Sequence, residues 1–320
     1  MTIISPSGTT TFEQTKNQII QKALMLIGAI GAEDTPSNWD YVFAGDMLDM
    51  LIKAWEAKGI GLWLLTEATL FLTSGQASYS IGGSTSANTG ANSVVTTSTA
   101  TAITGASTIT LASVTGMNVS DTIGIVLDVG TTQWTTISAI NTSTLVVTLN
   151  ATLTSQASSG TNVYDYATVM SNPINITQVR FQYNGGIERE CTRLMREQYF
   201  ALPNKTVKGK PTQFFYDRQL NNGTLYFWPT PDSALDRVNY TFKAIIQDTG
   251  TGSTANMDFP QEWILPVTYG LATILAPAYG KDQKIQQSLG PLGQQQLKDA
   301  QGYDVDEGSI FMMPDNQDND

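Results

Sequence analysis

The sequence contains no histidine and only one cysteine. Without histidine, the chain lacks the usual general base at neutral pH, the Ser-His and Cys-His nucleophile pairs, and most zinc and iron sites. Cys191 has no second cysteine to pair with, so we interpret it as an ordinary thiol of a reducing compartment. Few enzyme classes remain. We therefore expect no catalytic residue, no metal and no cofactor, and we predict that the protein is not an enzyme.

Charged residues are also scarce. They make up 14% of the chain, against roughly 25% in an average globular protein. The 17 basic and 28 acidic residues give a formal net charge of -11. This balance argues against a protein that holds nucleic acid by neutralising its phosphates, because DNA passing nearby is repelled.

The sequence has no long uninterrupted apolar run. The most apolar late segment, residues 263–280, is interrupted by Pro266 and Pro277 and predicts a buried helix rather than a membrane span. Residues 1–11 lack the basic and then apolar layout of a signal peptide. We therefore expect a protein made in the cytoplasm that has no membrane partner.

Helical spacing of apolar residues appears near both ends of the chain. A first helix is predicted to begin with the capping-box pair Thr11 and Gln14 and to close at Gly31. A second is predicted from Ser37 and Asp40, which have the same spacing. A returning helix follows Pro260. Their apolar faces supply the predicted helical core: Leu24, Ile27, Met47, Leu51, Trp55, Trp263, Leu271 and Leu275.

Residues 67–256 are predicted to form a β-rich insertion, because apolar and polar residues alternate there. Residues 83–105 are mostly small or polar, which predicts a flexible, linker-like segment. Five β-rich runs within residues 106–168 predict a small β-barrel or sandwich module. Further along, Asn222-Gly223 between two alternating runs is a strong hairpin signal.

Taken together, these patterns predict an α+β fold with a helical bundle core made from both chain ends. Residues 1–66 with 257–302 would form the core, and residues 67–256 would be an inserted β-barrel or sandwich region. Residues 303–320 would form an extended C-terminal arm.

The arm contains an apolar cluster in acidic surroundings. Ile310, Phe311, Met312 and Met313 are consecutive and have no helix or strand pattern to join. A chance terminus is one interpretation. The alternative, which we favour, is a docking peptide that binds a partner through these side chains.

Two groups of residues in the β-rich region are candidate sites. A carboxylate pair for glycoside hydrolysis is one hypothesis, although turn and strand-edge roles are favoured for each of Asp121, Asp128, Glu188, Glu190 and Asp217. A sugar-docking or protein-docking aromatic strip is another. Here packing is favoured, because alternate members of a strand face the core: Phe214, Phe215, Tyr216, Tyr226, Phe227 and Trp228.

Two segments resemble a known family. The stretch "KALMLIGAIGAEDTPSNWDYVFAGDMLDMLIKAWEAKGIGLWL", residues 22–64, resembles the opening of the head-to-tail adaptor proteins of short-tailed bacteriophages, also called tail accessory or packaged-DNA stabilisation proteins. The stretch "FPQEWILPVTYGLATILAPAYGK", residues 259–281, resembles the returning helix of that family. Compact family members have nothing like residues 67–250, so the resemblance implies no role for the insertion.

The resemblance implies a virion structural protein of the neck or tail, made in the host cytoplasm. It implies a ring of twelve subunits that docks under the portal protein, extends the DNA channel, retains packaged DNA until genome ejection, and attaches tail nozzle and fibre proteins. Genomic DNA would pass without sequence-specific binding. The arm at residues 308–314 would dock on the portal. Two alternatives are a carbohydrate-binding or polysaccharide-degrading tail component and a fibre or capsid-decoration protein.

Overall fold

The chain is mixed α+β and mostly strand, with a curled half-barrel sheet and few helices. It divides into two compact units, one formed by Met1–Trp63 with Ile246–Asp320 and the other by Leu64–Ile245. A helical bundle as the core of the fold is not confirmed, since the larger unit is built from strands. The structure, a computed structural model, describes residues 12–58, 65–82, 89–91, 93–170, 172–219, 222–245, 257 and 260–303.

Most helices belong to the first unit. A π-helical turn, Ile285–Leu289, joins the last two helices of this unit. The α-helices of the described residues are α1 Lys16–Ile27, α2 Asn38–Ala57, α3 Arg196–Phe200 in the second unit, α4 Gln261–Leu275, α5 Asp282–Lys284 and α6 Gly290–Tyr303.

Helix α1 begins four residues later than predicted. The hydroxyl of Thr15 accepts a hydrogen bond from the Gln18 backbone N–H at 3.3 Å, and the Gln18 side chain accepts one from the Thr15 N–H at 3.0 Å. The prediction of Thr11 and Gln14 is therefore wrong. The Thr-x-x-Gln pattern occurs twice in succession, and both copies satisfy the same spacing rule.

Helix α1 also ends earlier than predicted, at Gly28 rather than Gly31. Gly28 has a φ of 72°, a left-handed conformation that favours glycine. Helix α2 has the predicted capping box, in which the Asp40 carboxylate accepts from the Ser37 N–H at 2.9 Å. This confirms the second helix start.

Helices from the two chain ends pack together in the first unit. Helix α4 contacts α1, α2 and α6. A Cβ atom at Gly270 of α4 would lie 3.0 Å from Leu51 and 3.1 Å from Trp55 of α2, so glycine permits a close helix crossing. The rings of Trp55 and Trp263 meet edge to face, with centroids 5.9 Å apart. This packing joins segments that are distant in sequence.

Among its described residues, the second unit contains four sheets. Their strands are β1 Leu65–Phe71, β2 Ser78–Ile81, β3 Thr89–Ala91, β4 Val94–Thr97, β5 Thr108–Thr110, β6 Thr122–Val126, β7 Thr132–Asn141, β8 Val146–Leu149, β9 Asn162–Tyr166, β10 Thr168–Val169, β11 Asn175–Gln182, β12 Glu188–Glu190, β13 Thr192–Arg193, β14 Lys208–Gly209, β15 Gln213–Asp217, β16 Gly223–Trp228, β17 Thr230–Pro231 and β18 Arg237–Lys243. The strand orders in the four sheets are β10-β3-β1-β18-β11-β12, β13-β15-β16-β2, β14-β17 and β4-β9-β6-β7-β8-β5.

The strands predicted between residues 106 and 168 are present as β5 to β9 and form one sheet. That sheet also includes β4, which pairs with β9 from Val94↔Asp165 to Thr97↔Asn162. The prediction of a linker over residues 83–105 is therefore wrong for its second half. The low-complexity composition concealed a Val- and Thr-rich strand, and these are residues that favour β-structure.

The predicted hairpin is present, but Asn222-Gly223 does not form a two-residue turn. Strands β15 and β16 are antiparallel, with Asp217 opposite Thr224. Gly223 lies inside β16 rather than in a two-residue turn. A Cβ atom there would come 2.1 Å from the Tyr216 hydroxyl oxygen, so glycine is required for close approach of that ring.

An aromatic cluster links the β4–β9 sheet to the rest of the second unit. Phe71 of β1 stacks on Tyr164 of β9 with centroids 4.5 Å apart and lies 5.3 Å from Trp134 of β7. The Tyr164 hydroxyl donates to the Ala234 carbonyl at 2.9 Å. Buried aromatic area and this hydrogen bond stabilise the contact between the two sheets.

Candidate docking surfaces

The predicted portal-docking residues Ile310, Phe311, Met312 and Met313 lie outside the described residues. The last described residue is Tyr303, at the end of α6. The helical-core residues all lie on α1, α2 and α4. Met47 and Trp55 are half-buried, and the other six are 0–7% exposed: Leu24, Ile27, Leu51, Trp263, Leu271 and Leu275.

An apolar groove runs along the side of the first unit between α1 and α4. It encloses about 530 Å³, within the usual range of roughly 300–1,000 Å³ for binding pockets. Sequence reasoning missed it, because each lining residue alone looks like an ordinary helix position. The described residues that line it are Phe12, Lys22, Met25, Leu26, Gln261, Ile264, Leu265, Thr268 and Tyr269.

An occupant of the groove needs few polar groups. The buried Thr268 hydroxyl already donates to the Ile264 carbonyl at 2.8 Å within α4. Phe12 and Leu265 are 57% and 49% exposed, so large apolar side chains are in contact with solvent at its edge. Lys22 lies with its ammonium 5.8 Å from the centre of the Phe12 ring. An apolar partner bearing negative charge fits such a surface.

A second surface surrounds α3. The rings of Tyr199, Phe200, Phe215 and Tyr226 form a contiguous cluster, with neighbouring centroids 5.0–6.2 Å apart. The guanidinium of Arg196 lies 5.8 Å from the centres of the Phe200 and Phe215 rings. Phe200 is 50% exposed, so this cluster is partly open to solvent.

The aromatic residues of β15 and β16 divide between two faces. Phe214, Tyr216 and Phe227 belong to the core of the second unit. Phe215 and Tyr226 pack with Tyr199 on the other face. Trp228 is half-buried and donates from its indole N–H to the Asn204 carbonyl at 2.9 Å. The prediction that alternate members pack into a core is confirmed.

Most of the candidate carboxylates have structural partners. Asp121 is buried and accepts from the Asn118 N–H at 2.7 Å. Asp128 accepts from the Ser158 N–H and hydroxyl at 2.9 and 2.8 Å. The other partnered pairs are Glu188 with Arg180 at 3.3 Å and Asp217 with Arg196 at 2.5 Å, while Glu190 is exposed on β12.

Four of these five carboxylates therefore serve as turn or ion-pair residues in the described chain. Within the same residues, no group of three His, Cys, Asp or Glu side chains is placed to hold a metal ion.

One buried acid was missed by the sequence analysis. Asp165 of β9 is 1% exposed and pairs with Val94 of β4 and Ile123 of β6. Neither carboxylate oxygen has a hydrogen-bond partner among the described residues. Burial, followed by the nearby charge of Asp121, raises the pKa of Asp165 to about 7. The available signal was an acidic residue between two tyrosines in a predicted strand, and all five residues of that strand are buried.

No family model and no curated protein matches the chain. Among solved structures it is similar to VP17, a capsid protein of bacteriophage P23-77, with 14% identity over 61% of this chain and 75% of that one, at a TM-score of 0.12. A complex of the VP16 and VP17 major capsid proteins of the same phage gives 13% identity over 61% and 77% of the two chains, also at a TM-score of 0.12.

Likenesses at that TM-score carry no argument about fold or function. Across the described ranges, no helix is long and apolar enough to cross a membrane.

Proposed function

We propose that this chain is a non-enzymatic virion structural protein, a head-to-tail adaptor that docks under the portal of a short-tailed bacteriophage. In this proposal the chain forms a ring of twelve, extends the DNA channel and retains packaged DNA. The first unit, called the helical unit from here on, builds the ring around a bundle core. The second unit, called the β unit, provides attachment for nozzle and fibre proteins, and the C-terminal arm binds the portal. A ring requires head-to-tail contacts that close on themselves.

The observation that carries this proposal is the contact between the two segments that resemble the family. Residues 22–64 and 259–281 are separated in sequence by the whole β unit, yet α2 and α4 meet through Gly270, Leu51 and Trp55. A chance resemblance gives no reason for two short matching segments to be packed partners. Their contact supports a helical adaptor unit interrupted by an insertion.

The charge of the chain supports a role beside DNA that does not hold it. With a formal net charge of -11, the chain repels a polyanion at short range. A channel through which DNA slides requires weak contact with phosphate. We therefore propose that genomic DNA passes the ring without sequence-specific binding.

Truncation tests the arm. The full chain, a form ending at Gly308 and a control form ending at Pro314 would each be mixed with the portal protein of the same virus and weighed by mass photometry. The Gly308 form loses Ile310 to Met313, whereas the control keeps them. Burying four apolar side chains contributes several kcal/mol, so we expect the shorter form to bind at least about a hundredfold more weakly.

Each result of this experiment has a defined meaning. Equal binding by all three forms would show that the arm is not part of the portal interface. Absence of portal binding by every form would overturn the adaptor proposal itself.

A carbohydrate-binding tail component is a second candidate, and the surface around α3 favours it. The half-exposed Phe200 ring lies beside the cations of Arg196 and Lys205, an arrangement suited to an acidic sugar. Titration of host surface polysaccharide into the full chain and into Phe200→Ala tests it. Binding that weakens at least tenfold in the variant would favour this function, and absence of binding would remove it.

A further inference from the structure

We infer that the groove between α1 and α4 holds the Ile310–Met313 segment of the same chain before the portal is bound. The groove is then a storage site for the docking arm. The release step rests on the proposed adaptor function, because the portal is what displaces the arm. Occupation of the groove does not depend on it.

The course of α6 brings the arm to the groove. Gly293, near the start of α6, lies beside Tyr269 and Thr273 in the second half of α4. Helix α6 contacts α4, and an antiparallel course along α4 would carry it from Gly293 back towards Gln261. From Gly293 to Tyr303 the rise is about 15 Å, and from Tyr269 back to Gln261 it is about 12 Å. On that course the end of α6 lies near the first turn of α4, where the groove begins.

The chain beyond Tyr303 is long enough to enter the groove. Six residues lie between Tyr303 and Ile310, and the seven Cα-to-Cα steps that join the two span up to about 25 Å when the chain is extended. Tyr269 both lines the groove and contacts Gly293 of α6. The arm therefore has only the width of α4 to cross, and a second copy of the chain is not needed.

The chemistry of the segment matches that of the groove. Four consecutive apolar side chains meet a lining that is largely apolar, and the groove volume of about 530 Å³ accommodates several side chains. Among the described lining residues, the only charged side chain is that of Lys22. The arm has acidic residues on both sides of the segment and no basic residue: Asp304, Asp306, Glu307, Asp315, Asp318 and Asp320.

Hydrogen exchange of the full chain, followed by mass spectrometry, tests occupation of the groove. We expect amides at residues 309–313 to exchange at least about tenfold more slowly than those of the same segment as a free peptide. Leu265→Glu places a negative charge in the groove and should abolish this protection. The matched control is Leu292→Glu, at a residue of α6 that is 43% exposed and does not line the groove. Circular dichroism of both variants checks that the helices persist.

Paired cysteines identify the occupant. Met25→Cys in the groove and Met312→Cys in the arm should be joined by a short bismaleimide within one chain. The control pair of Met50→Cys with Met312→Cys uses an exposed methionine of α2. The native Cys191 does not compete, because it is buried and burial raises the pKa of its thiol to about 11.

The outcomes separate the alternatives. A product joined between two chains, cross-linking no greater than in the control pair, or protection that appears on residues 1–11 and not on the arm would each overturn the inference. Protection of the arm without portal binding would leave the groove inference standing and defeat the adaptor proposal. Arm-dependent portal binding with an unprotected arm would defeat the groove inference and leave the adaptor proposal standing.

Discussion

The buried acid of the β unit makes the stability of this protein depend on pH. Asp165 lies between Val94 and Ile123 with no described hydrogen-bond partner, and Asp121 adds a like charge. Ionising the Asp165 carboxyl in this position is unfavourable, since the carboxyl is buried and no described group donates a hydrogen bond to it. The folded protein therefore keeps a proton that the unfolded chain releases.

The expected size of the change in stability follows from the linkage between proton binding and folding. The pKa of Asp165 is 3.8 in the unfolded reference and about 7 in the folded protein. Between these values, the stability of the unit falls by at most about 1.4 kcal/mol for each pH unit. Local relaxation and water entry reduce the total, so we expect a loss of about 2–4 kcal/mol from pH 4 to pH 7 and little further change above it.

Asp165→Asn tests this reasoning, because the amide has almost the same shape and no charge. At pH 8 the variant should be about 2–4 kcal/mol more stable than the native chain, and at pH 4 the two should agree within about 1 kcal/mol. Native-state hydrogen exchange of amides in β6 and β9 measures the stability of the β unit around Asp165.

Asp128→Asn is the control. Hydrogen bonds from the backbone N–H and hydroxyl of Ser158 lower the pKa of Asp128. Its contribution to stability is therefore lost as the pH falls, the opposite direction from that of Asp165. A native profile that is flat from pH 4 to 7, or an Asp165→Asn profile parallel to it, would refute the argument.

Three further predictions concern packing and hydrogen bonding. Gly124→Ala places a Cβ atom 2.4 Å from the Trp134 ring and should lower stability by about 1–3 kcal/mol in urea unfolding followed by fluorescence; an unchanged midpoint would contradict it. Leu271→Ala, at a fully buried site of α4, should cost the helical unit about 2–5 kcal/mol while exchange in the β unit stays constant. Tyr279→Phe removes the hydroxyl that donates a hydrogen bond to Asp40 at 2.5 Å, and it should lower the free energy of unfolding by about 1 kcal/mol at pH 7. Because that bond lowers the pKa of Asp40, the cost should shrink as the pH falls.

Local patterns predicted the elements that depend on neighbouring residues. The Ser37–Asp40 capping box and the strands β5 to β9 follow from spacing of three and of two residues, respectively. The division of aromatics between the faces of β15 and β16 follows from the same alternation. In each case the determining contacts lie within one element or between adjacent strands.

The features that were missed depend on long-range contacts or on a choice between equal local signals. Thr11 and Thr15 offer the same cap, and only packing decides between them. Strand β4 is stabilised by pairing with β9, which lies more than sixty residues away. The groove exists because α1 and α4 meet, and Asp165 is buried because two strands flank it. Neither fact is encoded in a short window of sequence.

The symmetry of the assembly tests the central claim most directly. The full chain would be mixed with the purified portal of the same virus, and class averages of the complex would be recorded by negative-stain electron microscopy. The adaptor account predicts an added ring of twelve subunits around an open channel below the portal. A trimer, a scatter of single subunits on the particle surface, or a portal that stays bare would contradict it.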